Sequence, residues 1–209
     1  MLITKMVMSM RIGIFGGSFN PIHKMHYDIC RYLINQHYVD KIIIVPTGSE
    51  YKYKDNLVKD TDRYNMIKLV CDKDDRLEVS DFEFKDHVVY TIDTLEHFKD
   101  LYKEDEIYFI CGADNLSYMD KWMRGIELLS VYNKLVINRR MNNIDEILEK
   151  FKEYKDKITV VPMEMNDISS TEIRNKISRG EDVSLYLDED VIKYIKDNNL
   201  YKGGLNENV

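Results

Sequence analysis

Arg11-Ile12-Gly13-Ile14-Phe15-Gly16-Gly17-Ser18-Phe19-Asn20-Pro21-Ile22-His23-Lys24-Met25-His26 opens as a short apolar run, breaks into two glycines, and passes through a polar loop into a helical pattern. Residues 11–15 read as a buried strand. Gly16-Gly17 directly behind it lets the backbone turn sharply and approach a ligand closely. Pro21 stiffens the loop, and a helix opens near His23 to His26, carried on by Ile29, Leu33 and Ile34 at helical spacing. A buried strand that turns on glycines into a helix is the opening unit of a parallel sheet.

The rest of the chain repeats that alternation. Strands are expected at residues 41–46, 77–79, 106–111, 134–137 and 158–162, each β-branched or continuously apolar. Helices are expected at about 26–37, 61–70, 91–102, 144–154, 170–178 and 188–197. Residues 47–60 follow neither period and read as a mobile surface loop. The fold class predicted is α/β, a Rossmann-like doubly wound parallel sheet with a small C-terminal helical subregion. Residues 10–203 form one domain, with an extension at 1–9 and a tail at 204–209. Ligands in such sheets bind beyond the C-terminal strand ends, so the loops after Phe15, Val45, Cys111 and Val161 are where a site belongs.

Composition narrows the function classes. The 209 residues are 44% hydrophobic and 32% charged, enough for a sizeable core, and the formal net charge is −7. That charge argues against a nucleic-acid surface but not against a small anion held at a helix end. Cys30, Cys71 and Cys111 are widely spaced and form no CxxC pair, which fits thiols in a reducing cytoplasm rather than a disulfide framework or a zinc site. No apolar run is long enough for a membrane span. The mildly apolar stretch 1–10 runs on into the glycine turn without a small-residue cleavage site, so it is not read as a signal peptide. Met6, Met8 and Met10 are alternative starts. A homo-oligomer stays open.

Two clusters carry chemistry. His23 and His26 are three residues apart at a helix start, so both imidazoles can face one anion, where they would stabilise charge on a phosphoryl group in transfer. Taken singly, a GG turn or a pair of capping histidines is weak, and the dinucleotide fingerprint G-x-G-x-x-G is absent. In Ile168-Ser169-Ser170-Thr171-Glu172-Ile173-Arg174, Ser169 and Glu172 have capping-box spacing, which predicts a helix start with or without function. Ser170, Thr171 and Arg174 then put two hydroxyls and a guanidinium on the first turn, a setting for the outer phosphates of a nucleotide. Between the clusters, Asp114 reads either as an N-cap or as an acceptor for a ribose hydroxyl. Thr91 reads as a helix cap, and Trp122, the single tryptophan, as core or interface filling.

Gly16–His23, Tyr90-Thr91-Ile92-Asp93-Thr94-Leu95, Gly112-Ala113-Asp114-Asn115-Leu116 with Trp122, Arg139, and Ile168–Thr171 with Arg174 together resemble the bacterial nicotinate-nucleotide adenylyltransferases, in the HxGH nucleotidyltransferase superfamily. The resemblance runs from about residue 10 to 201. Its outer pieces mark the superfamily and its middle pieces the pyridine-nucleotide branch. It implies a cytoplasmic enzyme of NAD biosynthesis in which the 5′-phosphate of nicotinate mononucleotide attacks the α-phosphorus of ATP, releasing pyrophosphate and forming deamido-NAD. Mg²⁺ would assist with ATP, with no protein side chain as metal ligand and no covalent enzyme intermediate. Carried over residue by residue, His23, His26 and Arg174 would be catalytic. Gly16, Gly17, Ser18, Phe19, Gly112, Asp114, Ile168, Ser170 and Thr171 would surround ATP. Thr91, Trp122, the Met123 backbone N–H and Arg139 would surround nicotinate mononucleotide.

This chain departs from the family pattern twice. Met25 stands where H-x-G-H has glycine, so its side chain must turn away from the phosphates or narrow the site. The usual P-P-H-K segment after the second strand is replaced by Pro46-Thr47-Gly48-Ser49-Glu50-Tyr51-Lys52-Tyr53-Lys54, leaving Lys54 as an uncertain phosphate contact and Lys52 as a solvated loop residue. Pantetheine-phosphate adenylyltransferase is the neighbouring alternative; it shares the first loop but usually has Thr at the position of His23. A catalytically silent nucleotide binder and a non-enzymatic scaffold of the same fold are further alternatives. The last leaves the histidines and the Ser-Ser-Thr helix start unexplained together. Use of nicotinamide mononucleotide is left open.

Overall fold

The structure, a computed structural model, describes residues 9–50, 57–138, 144–163 and 168–202. Six parallel strands form the sheet: β1 (Arg11–Gly17), β2 (Lys41–Pro46), β3 (Leu77–Val79), β4 (Glu106–Gly112), β5 (Asn133–Ile137) and β6 (Ile158–Val161), in the order β3-β2-β1-β4-β5-β6. The chain starts in the middle, winds outward to β3, then returns to the other side of β1 through β4. Crevices at such a reversal, here between β1 and β4, are where doubly wound sheets bind ligands.

Strand alternation splits the core in two. On one face Ile42, Ile44, Ile110, Leu135 and Ile137 meet α1 (Lys24–Asn35) and α2 (Asp60–Cys71). The same face receives α7 (Ser170–Ser178) and α8 (Glu189–Asp197) through Ile173, Val191 and Ile195, so the C-terminal helices close this core rather than stand apart. On the other face Ile12, Ile14, Ile43, Phe109 and Val136 pack against α3 (Thr91–Leu101) and α5 (Gly125–Val131). Gly13 sits where a Cβ would come 2.7 Å from Ile110 Cδ1, so a side chain at the centre of β1 would have to displace Ile110.

Three local expectations are corrected. The segment expected as one helix over 144–154 is α6 (Ile144–Lys150) followed, after Phe151, by a 3₁₀ stretch over Lys152–Lys157. Phe151 is buried in the second core, and the charged run behind it offers no apolar face to continue an α-helix. Between β4 and β5 lie α4 (Ala113–Ser117), a 3₁₀ turn over Met119–Lys121, and α5; the cap reading of Asp114 allowed a helix start there, but none of the three was among the expected helices. Each is too short to show a helical period, and α5 is entered through Arg124 in the left-handed conformation, φ 53°. Thr91 is the first residue of α3, not its cap; Tyr90 holds the cap position, and its N–H donates to the Asp93 carboxylate at 3.0 Å. Among the described residues no helix is long and apolar enough to cross a membrane.

Candidate active site

The loop after β1 is held by its carbonyls. Arg63 of α2, fully buried, donates from Nη1 to Ser18 O at 2.9 Å, pairs with Asp60, and places its guanidinium over the Phe84 ring at 5.5 Å. From α7, Arg174 Nη1 donates to Asn20 O at 2.9 Å and Ser170 Oγ to Pro21 O at 3.2 Å. Within the loop Phe19 adopts φ 44° and is buried edge-on against Phe15 and His26.

His23 is the N-cap residue of α1, and its N–H donates to His26 Nδ1 at 3.3 Å. The two rings stack with centroids 3.7 Å apart. Because Nδ1 of His26 accepts, the ring proton lies on Nε2, which makes Nε2–H the donor that His26 presents. No acidic residue occupies the first turn of α1, so the positive end of that helix is not offset by a negative charge from its own first turn.

These elements enclose a cavity of about 410 Å³ at the C-terminal ends of β1 and β4. It is lined by Gly16, Gly17, Ser18, Phe19, His26, Gly112, Asp114, Ser170, Thr171 and Arg174, ten residues singled out from sequence, and also by Asn20, Asn115, Leu57, Phe15 and Cys111. His23 lies against His26 rather than on the lining, and Ile168 packs against the first core beside α7. Thr91, Trp122 and Met123 are outside the cavity. Trp122 is half-buried and packs edge-on against Phe109, whose ring is also close to Gly16. Arg139, Lys52 and Lys54 lie outside the described residues.

Asp114 is the second residue of α4, whose N-cap is Gly112, which removes the cap reading for it. A Cβ on Gly112 would fall 2.2 Å from Asp114 Oδ1, so the glycine makes room for the carboxylate. Ser169 caps α7 as its spacing predicts, accepting the Glu172 N–H at 3.1 Å. Arg174 is only half-exposed; burial lowers its pKa, and its Nε is buried with no hydrogen-bond partner among the described residues. A guanidinium partly withdrawn from water, with its buried Nε donor unused among the described residues, suits an anion. Met25 is 8% exposed and packs into the first core with Phe19, Ile22 and Ile29, not among the lining residues, so the side chain that replaces glycine does turn away.

Sequence reasoning missed Arg63 and Asn20. Asn20 was in plain view within the quoted loop. Arg63 carries no local signal, being one arginine on a helix 45 residues from the Ser18 it holds.

Beside this brace, Glu83 is buried and accepts the Thr94 hydroxyl at 2.7 Å. Burial pushes its carboxyl up from 4.5 to about 7, against the opposing pull of Thr94 and Arg63. The folded state therefore binds the proton more tightly than the unfolded chain. Its stabilising effect is full below about pH 4.5 and is lost as pH rises through about 7. Glu83→Gln removes this dependence: relative to wild type, the variant is expected to gain on the order of 2–3 kcal/mol between pH 4 and pH 8. Urea unfolding of both proteins across that range is the check, and a constant difference would show that Glu83 does not titrate there.

A cytidylyltransferase-like family model matches residues 14–176. A probable nicotinate-nucleotide adenylyltransferase from Caldicellulosiruptor bescii is 38% identical over 197 residues, spanning 92% of this chain and 100% of that protein. One from Clostridium botulinum (strain Langeland) is also 38% identical, spanning 91% and 98%. Among solved structures, Plasmodium falciparum nicotinic acid mononucleotide adenylyltransferase complexed with NaAD superposes with a TM-score of 0.79 at 24% identity, covering 91% of this chain and 97% of that one. At that identity the likeness is one of fold.

Proposed function

The chain belongs to the cytidylyltransferase-like family, among the nicotinate-nucleotide adenylyltransferases, and on that premise we propose that it transfers the adenylyl group of ATP to nicotinate mononucleotide in NAD biosynthesis. A phosphate oxygen of the mononucleotide forms a bond to the α-phosphorus, the bond from that phosphorus to the bridging oxygen breaks, and pyrophosphate leaves with the electron pair. The observation that supports this best is the convergence on one cavity of the glycine loop, His26, and the first turn of α7 with Arg174.

Catalysis of this kind is positioning plus charge stabilisation. The Nε2–H of His26, with His23 stacked on it, donates to the phosphate whose charge grows as the reaction proceeds. Arg174, Ser170 and Thr171 hold the β- and γ-phosphates at the N-terminus of α7. Gly16 to Phe19 and Ile168 border the triphosphate, and Gly112 and Asp114 take the adenosine side. Trp122, Thr91 and Met123 would receive the pyridine ring and its carboxylate, with Arg139 as a further contact. Mg²⁺ suits this donor set as part of the substrate. The ion would be carried on the ATP phosphates and would offset part of their charge.

The test is pyrophosphate release from ATP and Mg²⁺ with nicotinate mononucleotide, nicotinamide mononucleotide or phosphopantetheine as acceptor. Release with nicotinate mononucleotide is expected. Preference for phosphopantetheine would move the chain to the neighbouring branch, and silence with all three would defeat the enzymatic reading.

A further inference from the structure

Asn20 ties three distant parts of the chain together. Its carbonyl accepts Arg174 Nη1, while its Oδ1 accepts the Val58 N–H at 3.3 Å and the Tyr201 hydroxyl at 2.8 Å. Asn20 is 2% exposed yet borders the cavity; Tyr201 does not. Tyr201 comes from the far end of the fold, just after α8, where the Leu200 N–H closes the helix end on Ile195 O at 3.0 Å. Asn199 and Tyr201 both take left-handed backbone, φ 53° and 59°, which folds the chain back so that the phenol packs on the first core. Its hydroxyl also lies within the fields of Arg174 and Arg63, the two arginines that hold the loop carbonyls of Asn20 and Ser18.

We propose that Tyr201 is a positioning residue for ATP, acting through Asn20 to hold the loop between β1 and α1 in the shape that receives the triphosphate. The proposal rests on that loop being the ATP site. An amide oxygen has two lone pairs, and the Val58 N–H and the Tyr201 hydroxyl supply a donor to each. Removing the Tyr201 hydroxyl leaves the longer Val58 bond as the remaining side-chain tether of Asn20 Oδ1 among these two. The loop then has more conformations to give up when ATP binds, which weakens binding without touching the reacting atoms.

Tyr201→Phe in the full chain removes one oxygen and keeps the packing. The KM for ATP is expected to rise about fivefold, the worth of one ordinary hydrogen bond, with kcat changed less than about twofold and the KM for nicotinate mononucleotide unchanged. In an Asn20→Ala background the same substitution is expected to have no further effect on the KM for ATP. An unchanged KM for ATP, with or without a lower melting temperature, overturns the proposal, as does an equal rise in both KM values or a full fivefold effect in the Asn20→Ala background. If the wild type releases no pyrophosphate, adenylyl transfer fails as a function. The brace is then read from the ratio of ATP dissociation constants of wild type and Tyr201→Phe by calorimetry. Equal constants, or no ATP binding by the wild type, overturn it.

Discussion

His26→Ala is expected to lower kcat by about 10²- to 10⁴-fold, the range for removing a donor aimed at developing charge in a closed site. The effect is concentrated in kcat because the reacting phosphate gains charge only as the bond to the leaving pyrophosphate breaks. His26 is suited to that role by its surroundings. The His23 N–H occupies its Nδ1, the His23 ring stacks on one face at 3.7 Å between centroids, and Phe19 packs edge-on at 5.0 Å. Three contacts therefore fix the ring and leave Nε2–H as its donor. The substitution also deprives the His23 N–H of its acceptor, a loss of about 1 kcal/mol. Truncation opens onto an existing cavity rather than creating a sealed one, so the fold is expected to remain intact by circular dichroism and urea titration. An unchanged rate of pyrophosphate release would remove His26 from the site.

Arg174→Met is expected to cost about 10³-fold in kcat/KM for ATP, the sum of two charge-assisted hydrogen bonds to phosphate of about 2 kcal/mol each. Stability should respond quite differently. The fold disfavours this charge, as the lowered pKa shows, and no carboxylate among the described residues forms an ion pair with it. Losing the bond to Asn20 O is then offset by removing a guanidinium from a half-buried setting, while methionine keeps most of the aliphatic stem. The melting temperature is expected to move by less than about 3 °C. A large fall in melting temperature with ATP affinity preserved would make Arg174 a strut for the loop and nothing more.

These two residues also show how far local sequence could be trusted. His23, His26, Ser170, Thr171 and Arg174 could be singled out because each lies at the cap or within the first five residues of a helix whose start has its own local signal: a glycine pair ahead of α1, which ends β1 instead of making the turn expected of it, and a capping serine ahead of α7. The bounds of α7, Ser170–Ser178, coincide with the expected ones for that reason. The signal failed where helices span only one or two turns, as across α4 and α5, or where a single buried aromatic such as Phe151 redirects the chain. Asp114 and Thr91 were open to reading as caps because their types favour that position. The backbone instead puts Gly112 and Tyr90 there, each one or two residues earlier.

By itself the sequence determined the class of fold, the first loop and the family. Strand and helix periods, glycine turns and capping serines act over a few residues, and their order along the chain is enough to specify a doubly wound sheet. Only the tertiary structure decided which residues meet. Arg63 reaches Ser18, Arg174 reaches Asn20, and Tyr201 reaches the Asn20 side chain from 181 residues away. It also decided where Met25 goes: into the first core with Phe19, and not among the residues that line the cavity. None of this could be read locally, because such contacts depend on the sheet order that sets β1 beside β4 and on how α2, α7 and α8 pack over it. A side chain's periodicity says which face of its own helix it occupies, not what that face will touch.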